Sequence, residues 1–137
     1  MEFAEDAKVQ QAAETFARDA IAFGRKNFQV ELDFSDASVA HIESMMENFD
    51  RNASRGLPSA EVLAKFGKIF GSYVGEVYRK NHGGVWGVIT TDGNQIPGVR
   101  GLNGTLLWPW ARVENRMRQG PQESVLTYYL QLVGPTQ

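Results

Sequence analysis

The stretch Val62-Leu-Ala-Lys-Phe-Gly-Lys-Ile-Phe-Gly-Ser-Tyr-Val-Gly-Glu-Val-Tyr-Arg-Lys-Asn-His-Gly-Gly-Val-Trp86 decides the fold of this 137-residue chain. Its apolar residues recur at i, i+3, i+4 and i+7, the period of an amphipathic helix, at Val62, Phe66, Ile69, Phe70, Tyr73, Val74, Val77 and Tyr78. Ser59 is placed to cap the start of the helix, and Gly83 or Gly84 can adopt the left-handed conformation that ends it. We therefore predict a long central helix that ends at His82 and runs directly into a strand.

The residues after this helix predict a small antiparallel sheet followed by two helices. Trp86 to Thr90 is rich in aromatic and β-branched residues, which favour strands. Asp92-Gly93 is a hairpin turn pair, after which residues 95–99 can pair back, and residues 102–108 predict one more strand. Amphipathic spacing then predicts helices over residues 110–119 and 123–133, separated by Gly120-Pro121.

The residues before the central helix predict two further helices. The first spans about Ala4 to Lys26, with Phe3 at the start of its apolar stripe, and the second runs from Ser35 or Asp36 to about Phe49. Between them, residues 28–34 alternate strictly between apolar and polar, which fits a half-buried strand or an extended lead-in to the second helix. The order of elements predicts one α+β domain over residues 1–137, with N-terminal helices, a small antiparallel sheet following the long central helix, and C-terminal helices.

Composition excludes several classes of function. There is no cysteine, so disulfides, cysteine–zinc sites and thiol nucleophiles are ruled out. The 14 basic and 16 acidic residues give a net charge of -2, whereas nucleic-acid binding needs many cations on one face. No apolar run approaches the ~18 residues of a membrane-spanning helix, and the N-terminus lacks the basic and apolar regions of a signal peptide. We expect a cytoplasmic protein that binds neither nucleic acid nor membranes.

Two residues of the central helix are candidates for chemistry. Glu76 is either a carboxylate that acts as an acid or base, or an edge-of-core residue paired with a nearby cation such as Arg79. His82 is either a base or a cation that is favourable at the end of a helix. The structural interpretation is favoured for both. No metal-binding spacing, phosphate loop or serine elbow is present, so we expect neither an enzyme nor a cofactor.

Two parts of the chain are candidates for binding a partner protein. Acidic residues gather in the N-terminal half, and charge of one sign can steer a partner of the opposite sign, at Asp33, Asp36, Glu43, Glu47 and Asp50. The second part is the segment 108–118, in which Trp108 and Trp110 could anchor an interface and Arg112 adds to a basic side of the predicted helix. The residues of both sets could equally be ordinary core residues or ordinary solvated surface residues with no partner to bind.

The pattern G-x-Y-x-G-E-V at residues 71–77, followed by Gly83-Gly84 and Trp86, resembles the core motif of an uncharacterised family of small bacterial domains. The resemblance covers about residues 30–132 and includes a closing basic helix with Arg116. It implies structural roles for the matching residues, Gly75, Glu76, Gly83, Gly84 and Trp86.

Domains similar to this family lie in polymorphic-toxin and type VI secretion neighbourhoods. The resemblance therefore implies an immunity protein, a monomer or weak homodimer that neutralises a cognate protein toxin by occluding it. The alternative is a small enzyme or ligand-binding domain that uses Glu76, His82 and nearby arginines.

Overall fold

A computed structural model describes residues 1–51, 56 and 58–134, and for residues 49–51 it describes the backbone alone. Within these ranges the chain forms five α-helices and one four-stranded antiparallel sheet, which confirms the predicted α+β class. The elements are β1 (Glu2–Glu5), α1 (Ala7–Phe28), α2 (Val39–Arg51), α3 (Ala60–His82), β2 (Val85–Thr91), β3 (Asn94–Arg100), β4 (Leu106–Leu107), α4 (Pro109–Gln119) and α5 (Val125–Val133). The strand order is β1-β2-β3-β4. No helix in the described ranges is long and apolar enough to cross a membrane.

Helix α3 lies at the centre of the molecule. The Ser59 side chain accepts a hydrogen bond from the Val62 backbone N–H, and Gly83 ends the helix, both at the predicted positions. Gly83 has a φ of 81° and a ψ of 168°, so its conformation is extended at positive φ rather than the predicted left-handed helical one. Residues 69–78 are buried on every side of the helix, so α3 is more deeply enclosed than an amphipathic stripe requires. Its inward face begins at Leu63, which is 1% exposed, whereas Val62 is 37% exposed.

Two glycines on α3, Gly67 and Gly71, let α4 approach at backbone distance, and a third, Gly75, makes room for the Trp86 ring. Gly67, Gly71 and Gly75 are four residues apart and therefore share one face of the helix. A methyl group at Gly71 would lie 2.7 Å from the Pro109 carbonyl oxygen, much closer than ordinary van der Waals contact. The crossing of α3 and α4 therefore depends on the absence of side chains on this glycine face.

The sheet packs one face against the helices. Trp86, Val99 and Leu107 lie directly opposite one another on β2, β3 and β4, and all three are fully buried. On the opposite face Gly87 pairs with Gly98, and the Phe3 ring lies over Gly87 while the Ile89 side chain lies over Gly98. The second face therefore has a small apolar cover of its own.

The start of the chain differs from the prediction. Phe3 belongs to β1, which pairs with β2, and the helix begins only after Asp6. The Asp6 side chain accepts hydrogen bonds from the backbone N–H groups of Lys8 and Val9, so it caps α1. The predicted helical stripe was extended too far because the spacing of Phe3 also fits a helix.

The residues between α1 and α2 contain no strand. Helix α1 continues to Phe28, and Gln29 then adopts a left-handed conformation with a φ of 54°. Leu32 is buried in the core, and the Phe34 ring stacks on Tyr73 with 5.0 Å between centroids. The alternation of residues 28–34 therefore reflects packing on the helices, and the alternative of a lead-in to the second helix describes this segment better.

The predicted strand over residues 102–108 is also too long. Only Leu106–Leu107 pairs with β3. The Gly104 backbone N–H donates to the Gly101 carbonyl, and Gly104 has a φ of 87°. A tight turn therefore occupies the first part of the segment.

Candidate functional site

A groove runs between α4 and the sheet at the end that carries the β2–β3 turn. It encloses about 660 Å³. The sheet side is formed by Met1, Thr91 and Ile96, and the other side by residues at the start and along the outer face of α4, namely Trp108, Ala111, Arg112, Glu114, Asn115 and Arg118. We refer to it as the α4 groove.

Arg112 is an exposed cation of this groove. Its guanidinium lies over the Tyr128 ring of α5, 4.0 Å from the centroid, and it has no carboxylate within ion-pair distance among the described residues. Burial raises the pKa of Tyr128, and the charge of Arg112 opposes that increase. Arg112 also borders a second, smaller depression of about 270 Å³ between α4 and α5, so it lies on the ridge between two concave surfaces.

The two tryptophans predicted as interface anchors have different surroundings. Trp108 lines the α4 groove, and its buried Nε1 has no hydrogen-bond partner among the described residues. Trp110 points inward, where its Nε1 donates to Ser72 Oγ at 2.7 Å and its ring packs edge-on against Phe16. Trp108 therefore remains a candidate for partner binding, whereas Trp110 serves the core.

Asp33 and Asp36 lie just before α2, and each makes contacts within the fold. Asp33 is exposed, and its carboxylate accepts hydrogen bonds from the side chain and backbone of Ser35 at 2.7 and 3.0 Å, which lower its pKa. Asp36 contacts His82 Nε2 at 3.0 Å and accepts a hydrogen bond from the Tyr129 hydroxyl. Burial and the contact with Asp36 raise the pKa of Tyr129.

Glu43 joins three helices from within the molecule. One of its carboxylate oxygens accepts from Arg116 Nε at 2.5 Å, and the other accepts from the Leu126 backbone N–H at 3.0 Å and from Ser124 Oγ at 3.1 Å. The Arg116 side chain is only 1% exposed. Glu43 is thus oriented inward, and Arg116 is held inside the fold by this carboxylate.

The acidic residues of the N-terminal half do not share one free surface. Glu47 is exposed on α2 and has interactions of its own, and the Asp50 side chain lies outside the described part of the chain. Because Asp36 and Glu43 hold the fold together, the acidic set is a weaker candidate for partner binding than the α4 groove.

Glu76 and His82 do not converge on a common pocket. Glu76 is 2% exposed and accepts two hydrogen bonds from Arg79, at 2.6 and 3.0 Å, and one from Trp86 Nε1 at 3.0 Å. Burial alone would raise the pKa of Glu76, but these hydrogen bonds and the charge of Arg79 outweigh it, and the pKa is lowered. His82 lies at the exposed end of α3, where it pairs with Asp36.

Comparisons of this chain with protein-family models, with curated proteins and with solved structures gave no match. The candidate site therefore rests on geometry. The sequence marks Trp108 and Arg112 as candidates but not Tyr128, Ile96 or Ala111. Tyr128 and Ile96 lie on elements distant in the sequence, so no spacing relates them to Arg112, and the small side chain of Ala111 gave no signal.

Proposed function

We propose that this chain is a protein-binding domain and that its partner docks in the α4 groove. The observation that carries the proposal is the placement of Arg112, an exposed cation without a carboxylate among the described residues, between Trp108 and Tyr128. Arginine, tryptophan and tyrosine dominate the binding energy of protein interfaces, particularly beside apolar surface that excludes water. Ile96 and Ala111 supply apolar surface in this groove.

The partner that we propose is a protein toxin, which this chain would neutralise by covering its active site. This finer assignment is supported by the resemblance of residues 71–77 and 83–86 to immunity-protein-like domains, by the small size of the chain and by its mildly acidic balance. We propose that it acts in the cytoplasm as a monomer or weak homodimer, with one toxin per groove.

The alternative, a small enzyme or ligand-binding domain that uses Glu76, His82 and the arginines of α4, has less support. Glu76 is enclosed by Arg79 and Trp86, and His82 pairs with Asp36. Neither side chain lines the α4 groove. A general acid or base must reach a substrate atom within hydrogen-bond distance, and this geometry gives Glu76 no such access.

Co-expression with the products of neighbouring genes tests the proposal. We expect one product to inhibit growth when expressed alone, and the present chain to bind it and restore growth. Ala111→Arg should abolish both effects because its long side chain fills the α4 groove. Ala22→Arg is the matched control, since Ala22 is an equally exposed alanine on α1, away from the groove.

Two outcomes would contradict different parts of the proposal. If no neighbouring product is bound or neutralised, the assignment as an immunity protein is wrong. If a complex forms but Ala111→Arg and Ala22→Arg bind equally well, the partner uses another surface and the α4 groove is the wrong site.

A further inference from the structure

We infer that the α4 groove selects an acidic partner segment, one whose aspartate or glutamate side chain reaches Arg112 while apolar neighbours lie against Trp108, Ala111 and Ile96. The inference rests on the proposed function and specifies the chemistry of the partner at that site. Three observations support it: which arginines already have a carboxylate partner, how the Arg112 guanidinium is placed, and which charges surround the groove.

Four of the seven arginines whose side chains the structure describes are already paired with a carboxylate of this chain. Those with such a partner are Arg25, Arg79, Arg116 and Arg118, which bind Glu31, Glu76, Glu43 and Glu114 respectively. Arg18 donates to Thr15, and Arg100 lies over the Phe3 ring. Arg112 is the arginine without a carboxylate that lines the groove, so its charge remains available for an external anion.

The position of Arg112 leaves its hydrogen-bond donors in reach of a partner. The central carbon of its guanidinium lies 4.0 Å from the centroid of the Tyr128 ring, and the residue as a whole is exposed. The five N–H donors of an arginine lie in the plane of the guanidinium and form a rigid fork that matches the two oxygens of a carboxylate. The contact with Tyr128 also restricts the side chain before binding, which reduces the conformational freedom lost when a carboxylate is bound.

The charges around the groove favour an acidic segment over a basic one. The second cation of the groove, Arg118, is bound by Glu114 at 2.9 Å, so these two charges offset each other. Arg112 then gives this surface a local positive charge on a chain whose net charge is -2. On the opposite side of Arg112, Glu123 borders the smaller depression, but it makes no ion pair with Arg112.

The apolar neighbours make a protein segment a better occupant than a small free anion. Ile96, Ala111 and the Trp108 ring lie in the same groove as Arg112, and removing their apolar surface from water favours binding. A free phosphate or acetate ion would leave this surface exposed. A peptide that combines a carboxylate with aliphatic side chains would cover it.

A random dodecapeptide library displayed on phage and selected on the purified full chain tests this inference. We expect the enriched peptides to share an aspartate or glutamate beside apolar residues. Synthetic copies should bind at least about tenfold more weakly to Arg112→Gln, the loss typical of one charged hydrogen bond, and with unchanged affinity to Arg18→Gln. Arg18 is the matched control because it is also exposed and has no carboxylate partner among the residues that the structure describes. Thermal melting should verify that both variants remain folded.

Changing the acidic residue of the peptide to its amide completes a double-mutant cycle. The amide peptide should bind about tenfold more weakly to the unmodified chain and show no further loss on Arg112→Gln, because both changes remove the same contact. Enriched peptides without a shared acid, blocked by Ala111→Arg but insensitive to Arg112→Gln, would overturn the inference and leave the proposed function standing. No enrichment over the bare support, or binding that Ala111→Arg does not reduce, would contradict both.

Discussion

Glu76 illustrates how burial can be compatible with a charged side chain. A carboxylate taken out of water is costly unless donors replace its hydration, and here Arg79 and Trp86 provide three hydrogen bonds. The hydrogen bond from Trp86 connects α3 to the start of β2, ten residues along the chain. Glu76 therefore links the central helix to the sheet.

We predict that Glu76→Gln lowers the free energy of unfolding by about 2 kcal/mol. The amide keeps the size of the side chain but loses the ion pair, and Arg79 is partly able to regain water because 23% of its side chain is exposed. Urea denaturation of the two proteins gives the difference. Glu31→Gln, which breaks the exposed pair with Arg25, is the control and should leave the midpoint unchanged; an equal loss in both variants would contradict the prediction.

The same carboxylate predicts a dependence of stability on pH. Because the pKa of Glu76 is lower in the folded chain than its ordinary value, ionised Glu76 contributes stability above the unfolded pKa of about 4.3. That contribution disappears as the pH falls through the folded pKa. The difference in the free energy of unfolding between the original chain and Glu76→Gln should therefore be constant near neutral pH and shrink below about pH 4. If this difference grew on acidification, the pKa of Glu76 would be raised rather than lowered by folding, and the prediction would be wrong.

At the scale of elements, local signals predicted the helices better than the strands. Ser59, Gly83 and Gly120 end or begin helices through contacts with residues three or four positions away, so the sequence nearby contains the necessary information. Strand β1 exists only because Phe3 can pair with Ile89, 86 positions later. Residues 28–34 alternate between apolar and polar side chains as a strand would, but this segment does not pair with any strand of the sheet.

The crossing of α3 and α4 predicts an unusual response to alanine. Glycine to alanine inside a helix normally stabilises it by about 1 kcal/mol. At Gly71 the added methyl group would meet the backbone of Pro109 and Trp110 at 2.7 Å, and backbone cannot move aside cheaply. We expect Gly71→Ala to lower the free energy of unfolding by about 2 kcal/mol, measured by urea denaturation.

Gly24→Ala is the matched control for this prediction. Gly24 is also a buried helical glycine, but its new methyl group would meet the flexible end of the Met45 side chain at 3.0 Å. We expect this variant to be as stable as the original chain or slightly more stable. Equal destabilisation of the two variants would mean that the loss does not arise from the contact with α4.

A second prediction at this scale concerns the junction of α2, α4 and α5. Glu43→Ala leaves the charge of Arg116 buried without that carboxylate and removes an acceptor for the first turn of α5, so we expect a loss of about 3 kcal/mol. Ser44→Ala, at the neighbouring exposed position of α2, should change little. Chemical denaturation measures the loss of unfolding free energy in both variants. Nearly equal losses would contradict an inward role for Glu43.

For the whole molecule, burial predicts a gradient of local stability. Residues 69–78 of α3 are enclosed on all sides, whereas β1 is an edge strand paired only with β2. Amides in the best-packed elements open only with global unfolding. Hydrogen exchange followed by mass spectrometry should therefore find the slowest exchange in α3 and much faster exchange in β1; protection of β1 equal to that of α3 would contradict this arrangement.

The candidate site is less predictable than the fold because it exists only in three dimensions. The types of Trp108 and Arg112 marked them as candidates, but their neighbours Tyr128 and Ile96 come from α5 and β3. Charge clustering in the sequence made the acidic half a second candidate, but there Asp36 and Glu43 bind His82 and Arg116. A residue's type indicates which contacts it can make, and only the fold determines whether those contacts are already satisfied.

The glycine face of α3 has a consequence for the kinetics of binding. Pro109 and Trp110 rest on Gly71 with no side chains between the two backbones, so no rotamer rearrangement can shift the first turn of α4, from which Trp108 and Arg112 extend. This side of the α4 groove is therefore already in its binding position before the partner arrives. Association should then proceed as one diffusional step without a slow isomerisation, and variants of the groove should act chiefly on the lifetime of the complex.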